Sequence, residues 1–294
     1  MNDKIRGTLY VLVCVALWGL IPVVARLGQS TLDNHQFLFW SSLVSFLVLF
    51  FNASVTGEVA GLKTFGWKDW LFILFLGLLG TYIYYLFLYL GYARAKGLEV
   101  LVIQYTWPIF IVVLSLFILR EKLTARKAMA IVLGFLGVAT VLTRGEFQAF
   151  DVSNPSVILL VAAGAFCFAL FSVLSKTVKK PPVLVVSLYF LAALLASFFS
   201  MLFFSGFALP SLNEVPPVLL NGLLVNGYSY IFWKKALLAT EASYLAPYTY
   251  LAPVFSAFYL VIIFDEPFLL AYAAGLGFIV AGGLINSGRT RQPG

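Results

Sequence analysis

Residues 100–119 read VLVIQYTWPIFIVVLSLFIL, and no Asp, Glu, Lys or Arg interrupts them. A helix of about 20 apolar residues is long enough to cross the hydrocarbon core of a bilayer, which is about 30 Å thick. Nine further uncharged, mostly apolar windows occur in the 294-residue chain, at residues 7–25, 36–57, 70–93, 128–143, 152–175, 181–213, 215–233, 242–264 and 267–288. The sequence therefore predicts an all-α membrane protein with ten transmembrane helices.

Composition and charge agree with a multi-pass membrane protein. Hydrophobic residues make up 62% of the chain and charged residues 11%, against about 25% charged in soluble domains. With the N-terminus placed inside, 15 of the 19 Lys and Arg residues fall in inner segments, and only Arg26, Arg94, Lys96 and Arg144 fall outside. By the positive-inside rule, we expect both termini in the cytoplasm. The net charge of +7 then reflects topology in a lipid bilayer, and no nucleic-acid partner is expected.

The chain contains an internal repeat with an offset of 145 residues. The offset aligns Tyr105, Pro108, Phe110, Ile118, Glu121, Ala128 and Gly137 with Tyr250, Pro253, Phe255, Ile263, Glu266, Ala273 and Gly282. We expect one repeat at residues 1–147 (helices 1–5) and a second at residues 148–294 (helices 6–10). Because five is an odd number, the second repeat enters the membrane from the opposite side. Two inverted repeats of this kind are typical of secondary transporters.

Pro108 and Pro253 occupy matching positions near the centres of helices 4 and 9. Proline lacks a backbone N–H and disrupts the preceding helical turn. Interrupted helices at corresponding positions of two halves point to a binding site near the bilayer midplane, and these two prolines are therefore candidate helix-break and gating residues. The alternative is a simple kink that neighbouring helices compensate.

Several features together resemble the ten-helix, EamA-type branch of the drug/metabolite transporter superfamily. They are the segment Ala16-Leu17-Trp18-Gly19, the mid-helix prolines, Glu121 and Glu266, and the glycine-rich fifth helices, 134–137 and 275–283. Within that branch, Leu90-Gly91-Tyr92-Ala93 and Tyr105-Thr106-Trp107-Pro108 most resemble the bacterial aromatic amino acid exporters. The resemblance implies a protein of the cell inner (plasma) membrane that exports aromatic and other neutral amino acids, or related metabolites, by alternating access. Related members carry many different solutes.

Aromatic and amide side chains in the spans are candidates for binding a substrate. Tyr82, Tyr85 and Tyr89 follow one another at i, i+3 and i+7, which places them on one face of helix 3. The remaining candidates are Gln104, Tyr105 and Trp107 of helix 4, Asn226, Tyr230 and Trp233 of helix 8, and Tyr248 and Tyr250 of helix 9. The resemblance adds Phe168 of helix 6, where the exporters carry Trp. The alternative is that these rings face lipid or form interfacial belts.

The spans contain no Asp, Glu or His that could bind a cation or a proton within the membrane. Without a buried acid the spans disfavour a cationic drug, and without a buried Lys or Arg they disfavour a sugar phosphate, so we expect a neutral or zwitterionic solute, which hydroxyl and amide groups can bind. We interpret Glu121 and Glu266 as helix-end residues that anchor the topology.

The sequence shows no catalytic constellation, metal-ligand set or nucleotide-binding loop, so neither an enzyme nor a cofactor is expected. A passive channel, a structural membrane subunit or a carrier for another metabolite or drug class remain alternatives. We expect a monomer, and a homodimer through small residues of helix 10 is the alternative.

Overall fold

The computed structural model describes residues 2–92, 94, 97–149 and 154–287, and residues 89, 92, 97–99 and 149 are described by their backbone alone. The predicted site residue Tyr89 is one of these, so its side chain lies outside the described part of the structure. Throughout the described ranges the secondary structure is helical, without a β-strand. The all-α fold predicted from the sequence is confirmed.

Nine helical segments are long and apolar enough to cross a membrane within the described ranges. They are α1 (Asp3–Gly28), α2 (Asn34–Val55), α3 (Trp67–Leu88), α4 (Val100–Ile118), α5 (Ala125–Leu142), α6 (Pro155–Ser175), α7 (Pro182–Phe204), α9 (Ala242–Phe264) and α10 (Leu270–Ser287). The tenth, α8, is helical from residue 215 to 239. It is less apolar than the others because it contains Asn221, Asn226, Lys234 and Lys235.

Contacts between helix ends show that the two sets of five helices are inverted. Lys4, in the first turn of α1, lies over the ring of Tyr244 at the start of α9. Glu121, just after α4, hydrogen-bonds the backbone of Ala242 at the start of α9. Helices α4 and α9 are equivalent under the 145-residue offset, yet α4 ends where α9 begins, so they run in opposite directions. We call the end of the molecule that carries Lys4 and Glu121 the basic face, and the other end the opposite face.

Equivalent helices of the two repeats depart from α-helical geometry at matching places. The helix Gly97–Gln104, which runs into α4, ends before the helix Trp107–Ile118 begins, and α9 contains a 3₁₀ segment at Ala246–Tyr250 before Leu251–Phe264. Pro108 and Pro253 cause these interruptions because each leaves the carbonyl four residues earlier without its usual donor. Helices α3 and α8 also contain π-helical segments, at Leu78–Ile83 and Asn221–Tyr228. Such segments are frequent at functional sites.

A cluster of aromatic rings holds the two repeats together at the centre of the molecule. The indole of Trp18 lies edge-on to Trp107, Phe168 and Tyr230, with ring centroids 5.7–6.0 Å apart, and 5.6 Å from Trp233. Helices α1, α4, α6 and α8 therefore meet at this point. Edge-to-face packing of buried rings is favourable beyond the area that it buries.

Candidate functional site

A cavity of about 490 Å³ extends from the central aromatic cluster to the opposite face. Its walls come from α1, α3, α4 and α9, together with the ends of α5 and α10. At its mouth, Gln29 follows α1, Asn34 begins α2, Arg144 follows α5, and Glu266 follows α9. The volume is in the range of small-molecule sites, which is about 300–1,000 Å³.

The floor of this cavity is a smaller space of about 20 Å³, lined mainly by rings. Both spaces share the lining residues Trp18, Ile21, Tyr85, Gln104 and Tyr105, so the two lie next to each other. The floor is completed by Tyr84, Trp107, Phe168, Tyr230 and Ala252. The deep part of the cavity is thus lined by apolar rings with a few hydroxyl, amide and indole groups.

Hydrogen bonds at the floor hold its polar side chains, and two of them connect the first repeat to the second. Gln104 Nε2 donates to the Tyr84 hydroxyl at 2.7 Å. The Tyr85 hydroxyl donates to Asn226 Oδ1 at 3.2 Å, and Tyr230 donates to the Gly80 carbonyl at 3.3 Å. The Gly80 carbonyl is within reach because it belongs to the π-helical segment of α3, where the regular hydrogen-bond ladder is disturbed.

The same π-helical segment changes which tyrosines of α3 face the cavity. The spacing of Tyr82, Tyr85 and Tyr89 predicts one face only if α3 is a regular α-helix. A π turn contains an additional residue and rotates the positions around it. The structure places Tyr84 and Tyr85 at the cavity, whereas Tyr82 packs against the core away from both cavity spaces.

The other predicted residues fall into three groups. Tyr85, Gln104 and Tyr105 line the large cavity, and Trp107, Phe168 and Tyr230 complete its floor. Asn226 and Trp233 are buried behind the floor, where the Trp233 indole donates to the Ser172 hydroxyl at 3.1 Å. Tyr248 and Tyr250 lie away from the cavity: Tyr248 contacts the Tyr244 hydroxyl near the basic face, and Tyr250 packs against Phe135 and Gly134 of α5. Pro253 lines the cavity, and Pro108 is buried beside it.

Several residues that line the cavity were not predicted from the sequence as binding residues. Trp18 belongs to a segment noted only for its resemblance, and its position as the central ring could not be read from that segment. Glu266 was interpreted as a helix-end residue and Arg144 was assigned only to the outer side of the membrane, and both line the mouth of the cavity. Arg144 and Glu266 are the charged residues among the described lining residues. The charged side chains therefore lie at the mouth of the cavity, and the described residues of the floor are uncharged.

At the basic face, hydrogen bonds join helices α4 and α5 to α9. The Glu121 carboxylate accepts from the backbone N–H groups of Ala242 at 2.8 Å and Ser243 at 2.9 Å, and from the Ser243 hydroxyl at 2.5 Å. Lys127 Nζ donates to the same hydroxyl at 2.8 Å and lies 3.0 Å from the Glu241 carboxylate. The end of α4 and the start of α5 are thereby attached to the start of α9.

Two lysines attach α6 to α8 at the same face. Lys234 is buried within α8, and its Nζ donates to the carbonyls of Ser175 and Val178 at the end of α6. Lys176 donates in return to the carbonyls of Leu237 and Thr240 at the end of α8. Cations are favourable at helix C-termini. Burial lowers the pKa of the Lys176 ammonium, and the nearby Glu121 charge opposes that shift.

At the opposite face the contacts are arranged around the open mouth. Arg26 Nη1 lies 3.1 Å from Glu266 Oε1, and its guanidinium lies 4.2 Å above the Phe264 ring centroid. Nearby, Glu214 accepts hydrogen bonds from the backbone of Thr31 at 2.7 Å and Leu32 at 2.9 Å. Burial opposes ionisation of Glu214, but these bonds and those from Ser211 outweigh it, so the pKa of this carboxyl is lowered.

Two segments of the chain match the same family model, that of the EamA-like transporter family, at residues 5–143 and 155–288. The chain belongs to this family. It is therefore a multi-pass membrane transporter with a small-molecule substrate. The two matches cover the two five-helix sets, and the sequence-based recognition of the EamA-type branch is confirmed.

Relatives of this EamA protein carry transporter names. An uncharacterized transporter of Archaeoglobus fulgidus is 23% identical over 99% of this chain and 100% of its own length. The aromatic amino acid exporter YddG of Ancylobacter novellus is 25% identical over 67% of each chain. An S-adenosylmethionine uptake transporter of Rickettsia prowazekii is 29% identical over 56% of this chain and 54% of its own length.

The fold itself is shared with a protein of known crystal structure. The two match with a TM-score of 0.85, over 96% of this chain and 97% of the other, at 21% sequence identity. At that identity, the similarity concerns the arrangement of the helices alone.

Proposed function

We propose that this EamA-family protein is a secondary transporter that moves a small neutral or zwitterionic solute by alternating access. Aromatic and hydrophobic amino acids, or related metabolites, are the proposed cargo, and export is the proposed direction. The observation that carries the proposal is the 490 Å³ cavity between the two repeats, which has an aromatic floor and opens to one face. The similarity to an aromatic amino acid exporter supports the cargo and the direction.

The charge distribution supports an orientation in the membrane. The basic face carries Lys4, Lys127, Lys176 and Lys234, and both repeats place most of their Lys and Arg on that side. We therefore propose that the basic face and both termini are cytoplasmic, in the inner membrane. In that orientation the structure is an outward-open state with a closed cytoplasmic side. Repeats 1–147 and 148–294 supply both halves of one carrier, so the monomer is the proposed functional unit.

The internal repeat suggests how the two sides alternate. Glu121 closes the basic face by binding the first N–H groups of α9. Its equivalent, Glu266, lies at the open mouth and pairs instead with Arg26. The offset of 145 maps Ala242 onto Gly97, where the first helix of α4 begins. We infer that Glu266 binds the start of that helix when the outer side closes, while Glu121 leaves α9 and the inner side opens.

Counterflow in proteoliposomes tests the function directly. Vesicles loaded with unlabelled L-phenylalanine are expected to accumulate external labelled L-phenylalanine transiently and saturably. Competition by L-tryptophan, L-leucine, S-adenosylmethionine, L-arginine and glucose 6-phosphate then ranks the solute classes. Linear, non-saturable flux would indicate a channel, and dominant competition by S-adenosylmethionine would shift the cargo toward that of the Rickettsia relative. No binding of any aromatic amino acid would refute the proposed cargo.

A further inference from the structure

Two polar atoms at the cavity floor have no hydrogen-bond partner among the described residues: the indole Nε1 of Trp18 and the amide Oε1 of Gln104. Both side chains line the 490 Å³ cavity and the 20 Å³ space beneath it, and they are only 6% and 7% exposed. The other buried side-chain atoms without a partner in the described ranges belong to Ser42, Tyr250 and Asn286, and these residues do not line the cavity.

The two groups are complementary in their chemistry. An indole N–H can only donate, and the oxygen of an amide can only accept. The Gln104 amide is held by its donation to the Tyr84 hydroxyl, which directs Oε1 away from that partner. The Trp18 ring is held by the rings of Trp107, Phe168 and Trp233. Buried polar groups normally have partners, and exceptions that face a cavity indicate a ligand.

The surroundings define which ligand chemistry these groups suit. A net cation or anion at the floor would lack a counter-charge, because the described charged lining residues, Arg144 and Glu266, lie at the mouth. An α-amino acid head group carries an acceptor and a donor next to each other and has no net charge. The 20 Å³ space has about the volume that one water-sized polar group occupies. The wider space above it has room for a side chain.

We propose that Trp18 and Gln104 form the subsite for the head group of a zwitterionic amino acid. Trp18 Nε1–H donates to the carboxylate, and Gln104 Oε1 accepts from the ammonium. The side chain of the solute then lies in the wider cavity against Tyr85 and Tyr105. This assignment deepens the proposed function and rests on it. In this assignment Trp18, which was not among the binding residues predicted from the sequence, contributes to the choice of head group.

The test measures binding of labelled L-phenylalanine to the purified full-length protein in nanodiscs. Phenethylamine, which lacks the carboxylate, and 3-phenylpropionate, which lacks the ammonium, serve as competitors. In the wild type, each analogue is expected to bind about tenfold or more weakly than L-phenylalanine, because each leaves one buried group unpaired. Equal binding of all three compounds would overturn the proposal without any substitution.

Two variants assign the contacts. Trp18→Phe keeps a ring and removes the N–H, so the preference for L-phenylalanine over phenethylamine is expected to fall about tenfold. Gln104→Met keeps the shape of the side chain and removes the amide oxygen. The preference for L-phenylalanine over 3-phenylpropionate is expected to fall in this variant. Trp40→Phe is the control, since the Trp40 indole donates to the Ala208 carbonyl away from the cavity.

The outcomes separate the two proposals. Wild-type protein that binds L-phenylalanine, with variants that keep the wild-type preferences, overturns the subsite and leaves the transport function standing. Wild-type protein that binds none of the aromatic amino acids refutes the proposed cargo, and the subsite with it. Because the analogue comparison in the wild type needs no variant, poor folding of either variant does not prevent a decision.

Discussion

The Glu121 carboxylate accepts two hydrogen bonds from Ser243, one from the backbone N–H at 2.9 Å and one from the hydroxyl at 2.5 Å. These residues are 122 positions apart and belong to different repeats. Charge-assisted hydrogen bonds of this kind are roughly twice as strong as neutral ones. This contact therefore makes a substantial contribution to closure of the basic face.

Glu121→Gln is expected to loosen the start of α9. The neutral amide offers weaker hydrogen bonds to the N–H groups of Ala242 and Ser243, so local opening becomes more frequent. Hydrogen exchange measured on the peptide covering Ala242–Leu245 is expected to become about tenfold faster. Glu146→Gln, which changes an exposed carboxylate near the opposite face, is the control. Unchanged exchange in Glu121→Gln would show that this carboxylate does not hold α9.

If Glu121 and Glu266 close the two faces in turn, Glu266→Gln is expected to shift the balance between the two states in the opposite direction from Glu121→Gln. A cysteine at Gln29, in the cavity mouth, reports the open state through labelling by a membrane-impermeant maleimide, with Cys14 and Cys167 replaced by Ala. Weakening Glu121 destabilises the state that is closed at the basic face, so labelling falls. Weakening Glu266 destabilises the other state, so labelling is maintained or rises. Changes in the same direction for both variants would contradict the alternation.

The sequence predicts the helices and the repeat well because both depend on local composition. Uncharged windows, matching prolines and the 145-residue offset are all readable along the chain. Tyr85, Gln104 and Trp107 were candidates for substrate binding because polar and aromatic groups within a span require partners or water, and the structure places them at the cavity or its floor.

The features that the sequence does not predict depend on contacts between distant segments of the chain. Tyr82 is displaced from the cavity by a π-helical segment in which the Gly80 carbonyl accepts a hydrogen bond from Tyr230 and the Thr81 hydroxyl donates to the Tyr189 carbonyl. No local spacing encodes those partners. Similarly, the burial of Lys234 depends on the carbonyls that α6 presents more than 50 residues earlier.

Acidification is expected to destabilise the opposite face through Glu214. Because the pKa of this carboxyl is lowered in the folded protein, its contribution to stability is present above the ordinary glutamate pKa of 4.5 and is lost as the pH falls below it. At pH 7, Glu214→Gln is expected to lower Tm by roughly 4–8 °C. The difference from wild type shrinks as the pH approaches 3. A difference that stays constant with pH would show that the charge of Glu214 is not the stabilising feature.

Trp107→Ala tests the aromatic floor as a binding surface. The Trp107 ring packs 5.0 Å from Phe168 and 6.0 Å from Trp18, centroid to centroid, and is buried. Its removal is expected to cost about 3–5 kcal/mol of stability and to weaken L-phenylalanine binding at least about tenfold, because it opens a void beside the head-group subsite. Trp67→Ala is the matched control, since Trp67 is 69% exposed at the basic face. Binding in nanodiscs, measured well below the variant's Tm, separates the two effects. A folded Trp107→Ala protein with wild-type affinity would show that the solute does not rest on this floor.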